Sequence, residues 1–139
     1  MRLSEWRQTP DGERLLSAKV GAALDRALDG LGAEADPVAM VAWGDDRATR
    51  YTVMAATDAG LAVVAVRVNI PGEGPRAAGR LVRWGRVQIA DLTVETQGEH
   101  HHVSAQVEGS VLHGVDQEAD RITEWLKHLY ARIDDRLPK

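Results

Sequence analysis

Val115-Asp116-Gln117-Glu118-Ala119-Asp120-Arg121-Ile122-Thr123-Glu124-Trp125-Leu126-Lys127-His128-Leu129-Tyr130-Ala131-Arg132-Ile133 is the stretch on which the reading of the fold turns. Ala119, Ile122, Leu126, Leu129 and Ile133 recur at steps of three and four, one stripe of a 3.6-residue period. Trp125 and Tyr130 widen that stripe. Asp116 stands where an N-cap would, its carboxylate placed to accept a free N–H of the first turn. Glu118 and Asp120 lie at the positive end of the helix dipole, and Lys127, His128 and Arg132 lie toward the negative end. A helix with its apolar weight on one side needs a β surface to cover. The chain before it supplies strands.

From residue 38 onward the apolar period is two. Val38–Trp43, Tyr51–Thr57 and Leu61–Ile70 read as strands, the last two joined by a tight Asp58-Ala59-Gly60 turn. In the third, Val64, Val66, Val68 and Ile70 share one face while Arg67 and Asn69 take the other. Asn69-Ile70-Pro71-Gly72-Glu73-Gly74-Pro75 is a loop by composition. Its glycines lack the following Lys-Ser/Thr of a phosphate loop. Leu81–Trp84 and Val87–Thr96 read as the fourth and fifth strands. A bulge near Ala90-Asp91 would return Val87, Ile89, Leu92 and Val94 to one core face and bend the sheet toward closure. Val103, Ala105 and Val107 alternate with polar residues as a sixth strand, and Ser110–Val115 forms a seventh. Short turns between strands predict an antiparallel meander. The expected fold is α+β: an N-terminal helix, a strongly bent antiparallel sheet or small barrel of about seven strands, and a C-terminal capping helix.

The N-terminal third reads as helix. Pro10-Asp11-Gly12-Glu13 opens it, and Leu15, Leu16, Val20, Ala23, Leu24, Ala27, Leu28 and Leu31 continue the helical spacing up to Gly30 and Gly32. Its apolar side lies either on its own sheet or on a second subunit. Trp6 belongs to no periodic pattern, so it is either disordered or inserted into a groove; a groove on a neighbouring subunit would make the tail a dimer arm. Trp6, Leu16, Val20 and Leu24 are therefore the candidate interface residues. The expected organisation is a tail and amphipathic helix over 1–36 and a barrel with its helix over 37–139, packed as a single compact unit.

A chain of 139 residues suits one domain with a real core. It contains no cysteine, which excludes disulfides and thiolate metal sites and fits a reducing cytosol. Met1-Arg2-Leu3-Ser4-Glu5-Trp6 lacks the apolar core of a signal peptide, and no window approaches the roughly 20 apolar residues of a membrane span. A soluble, cytoplasmic protein without strong membrane binding is the expectation. The formal charge of −4 divides as −2 over residues 1–36, +3 over 37–86 and −5 over 87–139. Every basic residue of the middle third is arginine: Arg47, Arg50, Arg67, Arg76, Arg80, Arg83 and Arg86. An acidic total without aromatic and basic residues interleaved argues against a nucleic-acid partner.

Two stretches resemble the pleckstrin-homology-like superfold in its bacterial members. Glu118 to Lys127 is similar to the family's terminal helix, in which a tryptophan packs into the open end of a barrel. Leu81-Val82-Arg83-Trp84-Gly85-Arg86-Val87 is similar to the strand, aromatic and turn that lead into the next strand. The resemblance spans roughly Pro37 to Ile133 and implies a barrel capped by Ile122, Trp125, Leu126 and Leu129. Lipid-binding members grip phosphates with basic residues in the first hairpin loop. Here Gly44-Asp45-Asp46-Arg47-Ala48-Thr49-Arg50 sets two aspartates against two arginines, so phosphoinositide binding is not carried over.

Glu99-His100-His101-His102 is the stretch that invites chemistry. On a strand, His100 and His102 point to one face, and His113 with Glu99 or Glu108 could complete a metal site; beside a turn, the same imidazoles are simply solvated. Asp45-Asp46 could act as paired acids, but aspartate is at home in a turn. His128 reads as a solvated helix residue, and Trp43, Trp84 and Trp125 as core or barrel-end plugs. No catalytic residue, cofactor or resident metal is assigned. The expected function is a non-enzymatic protein-binding or scaffolding module that self-associates. The alternative is a small-ligand or metal-binding protein, an enzyme included, built on the His100–His102 cluster.

Overall fold

The structure is a computed structural model that describes residues 1–44 and 49–135. The chain divides into two compact units, Met1–Arg83 and Trp84–Lys139. Helix and sheet in the first third are inseparable because they share one core.

In the first unit the alternating apolar residues build a four-stranded antiparallel sheet in chain order. Its strands are β1 (Ala39–Trp43), β2 (Arg50–Ala56), β3 (Leu61–Ile70) and β4 (Gly74–Val82). Ala62, Val64 and Val66 of β3 join Val53, Ala55 and Met40 in a buried cluster, with Val68 packed against it, while Ala65 and Arg67 face solvent. The β2–β3 turn is held by Thr57, whose buried hydroxyl donates to the Gly60 carbonyl at 2.7 Å and accepts from the Ala59 and Gly60 amides. β4 begins seven residues earlier than the apolar pattern proposes, since Gly74, Pro75 and Ala77 carry no strand signal. Pro75 is tolerated because β4 is an edge strand.

The N-terminal segment forms three helices where the spacing predicts one: α1 (Leu3–Arg7), α2 (Pro10–Leu15) and α3 (Ala18–Gly30). Local side chains set the breaks. Thr9 donates to the Trp6 carbonyl at 2.6 Å, closing α1, and accepts from the Gly12 N–H at 3.0 Å, opening α2. Leu16 leaves helical geometry (φ −111°, ψ 73°), and the Ser17 hydroxyl then caps α3 through the Val20 N–H. Gly12 is required because a Cβ there would lie 1.9 Å from the Trp6 carbonyl oxygen. That close approach seats Trp6, only 7% exposed, beside Tyr51 with ring centroids 6.4 Å apart. The Tyr51 hydroxyl donates to the Leu15 carbonyl at 2.9 Å, and burial pushes its pKa up to about 12. The Leu3 N–H donates to the Pro37 carbonyl, and the Ser4 N–H and hydroxyl both donate to the Asp36 carboxylate, tying α1 to the start of the sheet.

The second unit holds a 3-10 turn at Trp84–Arg86, a three-stranded antiparallel sheet and a long helix. Its strands are β5 (Ile89–Gln97), β6 (His100–Val107) and β7 (Ser110–Val115), followed by α4 (Gln117–Asp135). Val103, Ala105, Val107 and Leu112 bury against the stripe Ala119, Ile122, Trp125, Leu126 and Leu129. The approach is closest at Gly114, where a Cβ would come within 2.7 Å of the Glu118 carbonyl carbon and 2.8 Å of the Ala119 nitrogen.

The seven strands do not form one bent sheet or barrel. Among the described residues β4 is bonded to β3 and β5 to β6, neither sheet closes on itself, and both β4 and β5 are edges. The expected bulge is present: between Ala90 and Thr93 the β5–β6 register shifts, with Asp91 at φ 56°. It does not return Leu92 and Val94 to a core, however, because they remain 54% and 64% exposed. Helix α4 lies on β6 and β7 and leaves the edge strand uncovered. No described helix is long and apolar enough to cross a membrane.

Candidate functional site

The histidines of the β6 entry are already engaged. His100 Nδ1 lies 2.7 Å from Asp116 Oδ2, and the His101 backbone N–H donates to Asp116 Oδ1 at 3.1 Å. The His101 ring reaches Asp120 Oδ1 through Nε2 at 3.1 Å. The Asp116 carboxylate thus serves β6, clamping that strand to the start of α4 from a backbone at φ 54°, while its carbonyl accepts the Asp120 N–H of the first helical turn at 3.0 Å. The His100 ring and then the His101 N–H hold its carboxyl below the ordinary carboxylate value. His102 faces His113, ring nitrogens 3.4 Å apart and centroids 5.6 Å apart. Glu99 and Glu108 make no ion pair among the described residues. No group of three His, Asp or Glu side chains there is arranged to hold a metal ion.

Each nominated interface residue of the N-terminal segment lies inside the first unit. Trp6, Val20 and Leu24 are buried, and Leu16 packs against the same cluster. They are spent on their own sheet, since α3 covers β3 and β4. Ile122, Trp125, Leu126 and Leu129 are likewise buried, over an open three-stranded sheet and not a barrel mouth. Trp43 is half-buried and Trp84 buried. His128 departs from its solvated reading: its Nε2 and the Trp125 indole Nε1 are enclosed without a hydrogen-bond partner among the described residues, and burial lowers the His128 pKa. Asp45, Asp46 and Arg47, nominated as turn acids and as a phosphate-loop departure, lie outside the described residues.

The surface that stands out is one the sequence did not nominate. Strand β5 is paired on one side only, and Ala90 through Gln97 are all exposed. Leu92 and Val94 project from it on the face that Val103 and Ala105 share with α4, because Val94 pairs directly with Val103. Thr93 and Glu95 take the other face, opposite Ser104 and His102. An open row of backbone donors and acceptors beside two exposed branched apolar side chains is a template for another strand. Only the limited reach of α4 exposes it, so strand periodicity alone gave no warning. Comparison with protein-family models, with curated proteins and with solved structures returned no match for the chain.

Proposed function

We propose that the protein is a non-enzymatic protein-binding or scaffolding module that recognises an extended segment by adding it to the β5 edge. One observation carries this: Leu92 and Val94 are solvent-exposed on a strand whose outer backbone groups are unpaired. Leaving such an edge open invites aggregation unless it has a use, and folded proteins commonly blunt their edges with lysine, proline or a covering element. β5 carries neither lysine nor proline, and its bulge is confined to Ala90–Thr93, leaving Thr93–Gln97 regular and open. Main-chain bonds would supply affinity, and the two apolar side chains would supply selectivity.

The pleckstrin-homology-like resemblance is kept as part of this reading. Seven strands, a terminal amphipathic helix and a buried Trp125 support it. Recognition of protein, not phosphate, agrees with the acidic balance of residues 87–139.

The test is affinity capture with full-length protein and its Leu92→Lys/Val94→Lys variant, both confirmed folded by circular dichroism. A polypeptide that binds the purified wild type directly and loses at least about tenfold in affinity for the variant is the expected result. Equal binding by both proteins would reject the edge as the recognition surface.

A further inference from the structure

We propose that the occupant of the β5 edge is the β4 edge of a second copy of this chain, an inference that rests on β5 being a recognition edge. The β4 and β5 edges are complementary in charge and side-chain size. β5 presents Asp91 and Glu95, four residues apart and without ion-pair partners among the described residues. β4 presents Arg76 and Arg80, also four apart and both exposed; Arg76 contacts Glu73 at the surface, and Arg80 has no ion-pair partner among the described residues.

An antiparallel alignment over the regular part of β5, beyond the bulge between Ala90 and Thr93, sets Glu95 against Arg76. It also places Val94 opposite Ala77, so a protruding apolar side chain meets a small partner. The faces agree as well. Ala77 packs against the core cluster on the face that α3 covers, and a Cβ at Gly79 would touch Leu31 and Val64 on that same face. Val94 lies on the face of its sheet that α4 covers. Joined in this register, the four-stranded sheet of one copy and the three-stranded sheet of the next become one continuous sheet with both helices on one side. The arginine–glutamate contact then falls on the other side. The contact is heterologous, so a copy joined through one edge still offers the other, and association continues until the assembly closes.

Sedimentation velocity on the full chain tests this, using wild type, Arg76→Glu and Glu95→Arg. Wild type is expected to show a weight-average mass that rises with concentration and falls with salt. Either reversal should weaken association about a hundredfold. Mixing the two reversal variants should restore association, because the added glutamate on β4 of one then meets the added arginine on β5 of the other. A wild type that stays monomeric up to about 1 mM would overturn self-pairing while leaving a foreign strand on β5 to the capture experiment above. Association that survives both reversals, or that mixing does not rescue, would also overturn it.

Discussion

Gly12 and His128 show how single side chains decide local structure here. Gly12 lets the end of α1 lie against α2, and the added methyl of Gly12→Ala would meet the Trp6 carbonyl oxygen and carbon at 1.9 and 2.7 Å. Backbone cannot yield as a flexible side chain can, so we expect a loss of about 3 kcal/mol, read by urea denaturation. An unchanged midpoint would mean that α1 does not pack as described. His128 has its pKa lowered from 6.5, first by burial and then by the Arg132 charge. A base that is harder to protonate when folded contributes its stability above the unfolded pKa and loses it as pH falls through the lower folded value. Melting temperature should therefore drop below pH 6.5 more steeply in wild type than in His128→Leu, which has no ring to protonate. Parallel curves for the two proteins would show that the ring titrates freely. Neither residue was legible in the sequence. A glycine four places into a helical pattern and a histidine between Lys127 and Leu129 acquire their roles only from what packs on them.

At the scale of elements, what the sequence revealed and what it hid follow from the same rule. Strands β3 and β7 run over Leu61–Ile70 and Ser110–Val115 as the alternation predicts, and α4 buries the predicted stripe from Ala119 to Leu129 while Tyr130 stays exposed, because each is set by its own apolar period. The three-helix start was hidden because Leu16 and Val20 keep the 3.6-residue spacing across a break made by the Ser17 cap. The fate of Leu92 and Val94 was hidden because exposure depends on where another element stops covering the sheet. Close packing of α4 on β7 provides a test at this level. Gly114→Val would force its side chain into the Glu118–Ala119 backbone, so the helix must lift from the sheet. We expect a loss of about 3 kcal/mol and increased solvent quenching of tryptophan fluorescence, as Trp125 is only 2% exposed in wild type. Unaltered quenching would contradict the contact.

For the whole molecule, the chief departure from expectation is that seven strands are shared between two open sheets instead of closing into one wall. A closed barrel has no edges to offer, whereas the two open sheets keep edge strands, among them β4 with Arg76 and Arg80 and β5 with Asp91 and Glu95. Self-association, expected from the N-terminal helix, is thereby reassigned to strands, because α3 spends its apolar side on its own sheet. Hydrogen exchange of the β5 amides across a dilution series, with mass measured on the same samples, tests the account most directly. It predicts that those β5 amides without a β6 partner exchange freely in dilute protein and become protected as the mass rises, but stay unprotected in Arg76→Glu. Protection of β5 that is the same at every concentration, in protein that remains monomeric, would mean the edge is already paired within one chain and would contradict the account.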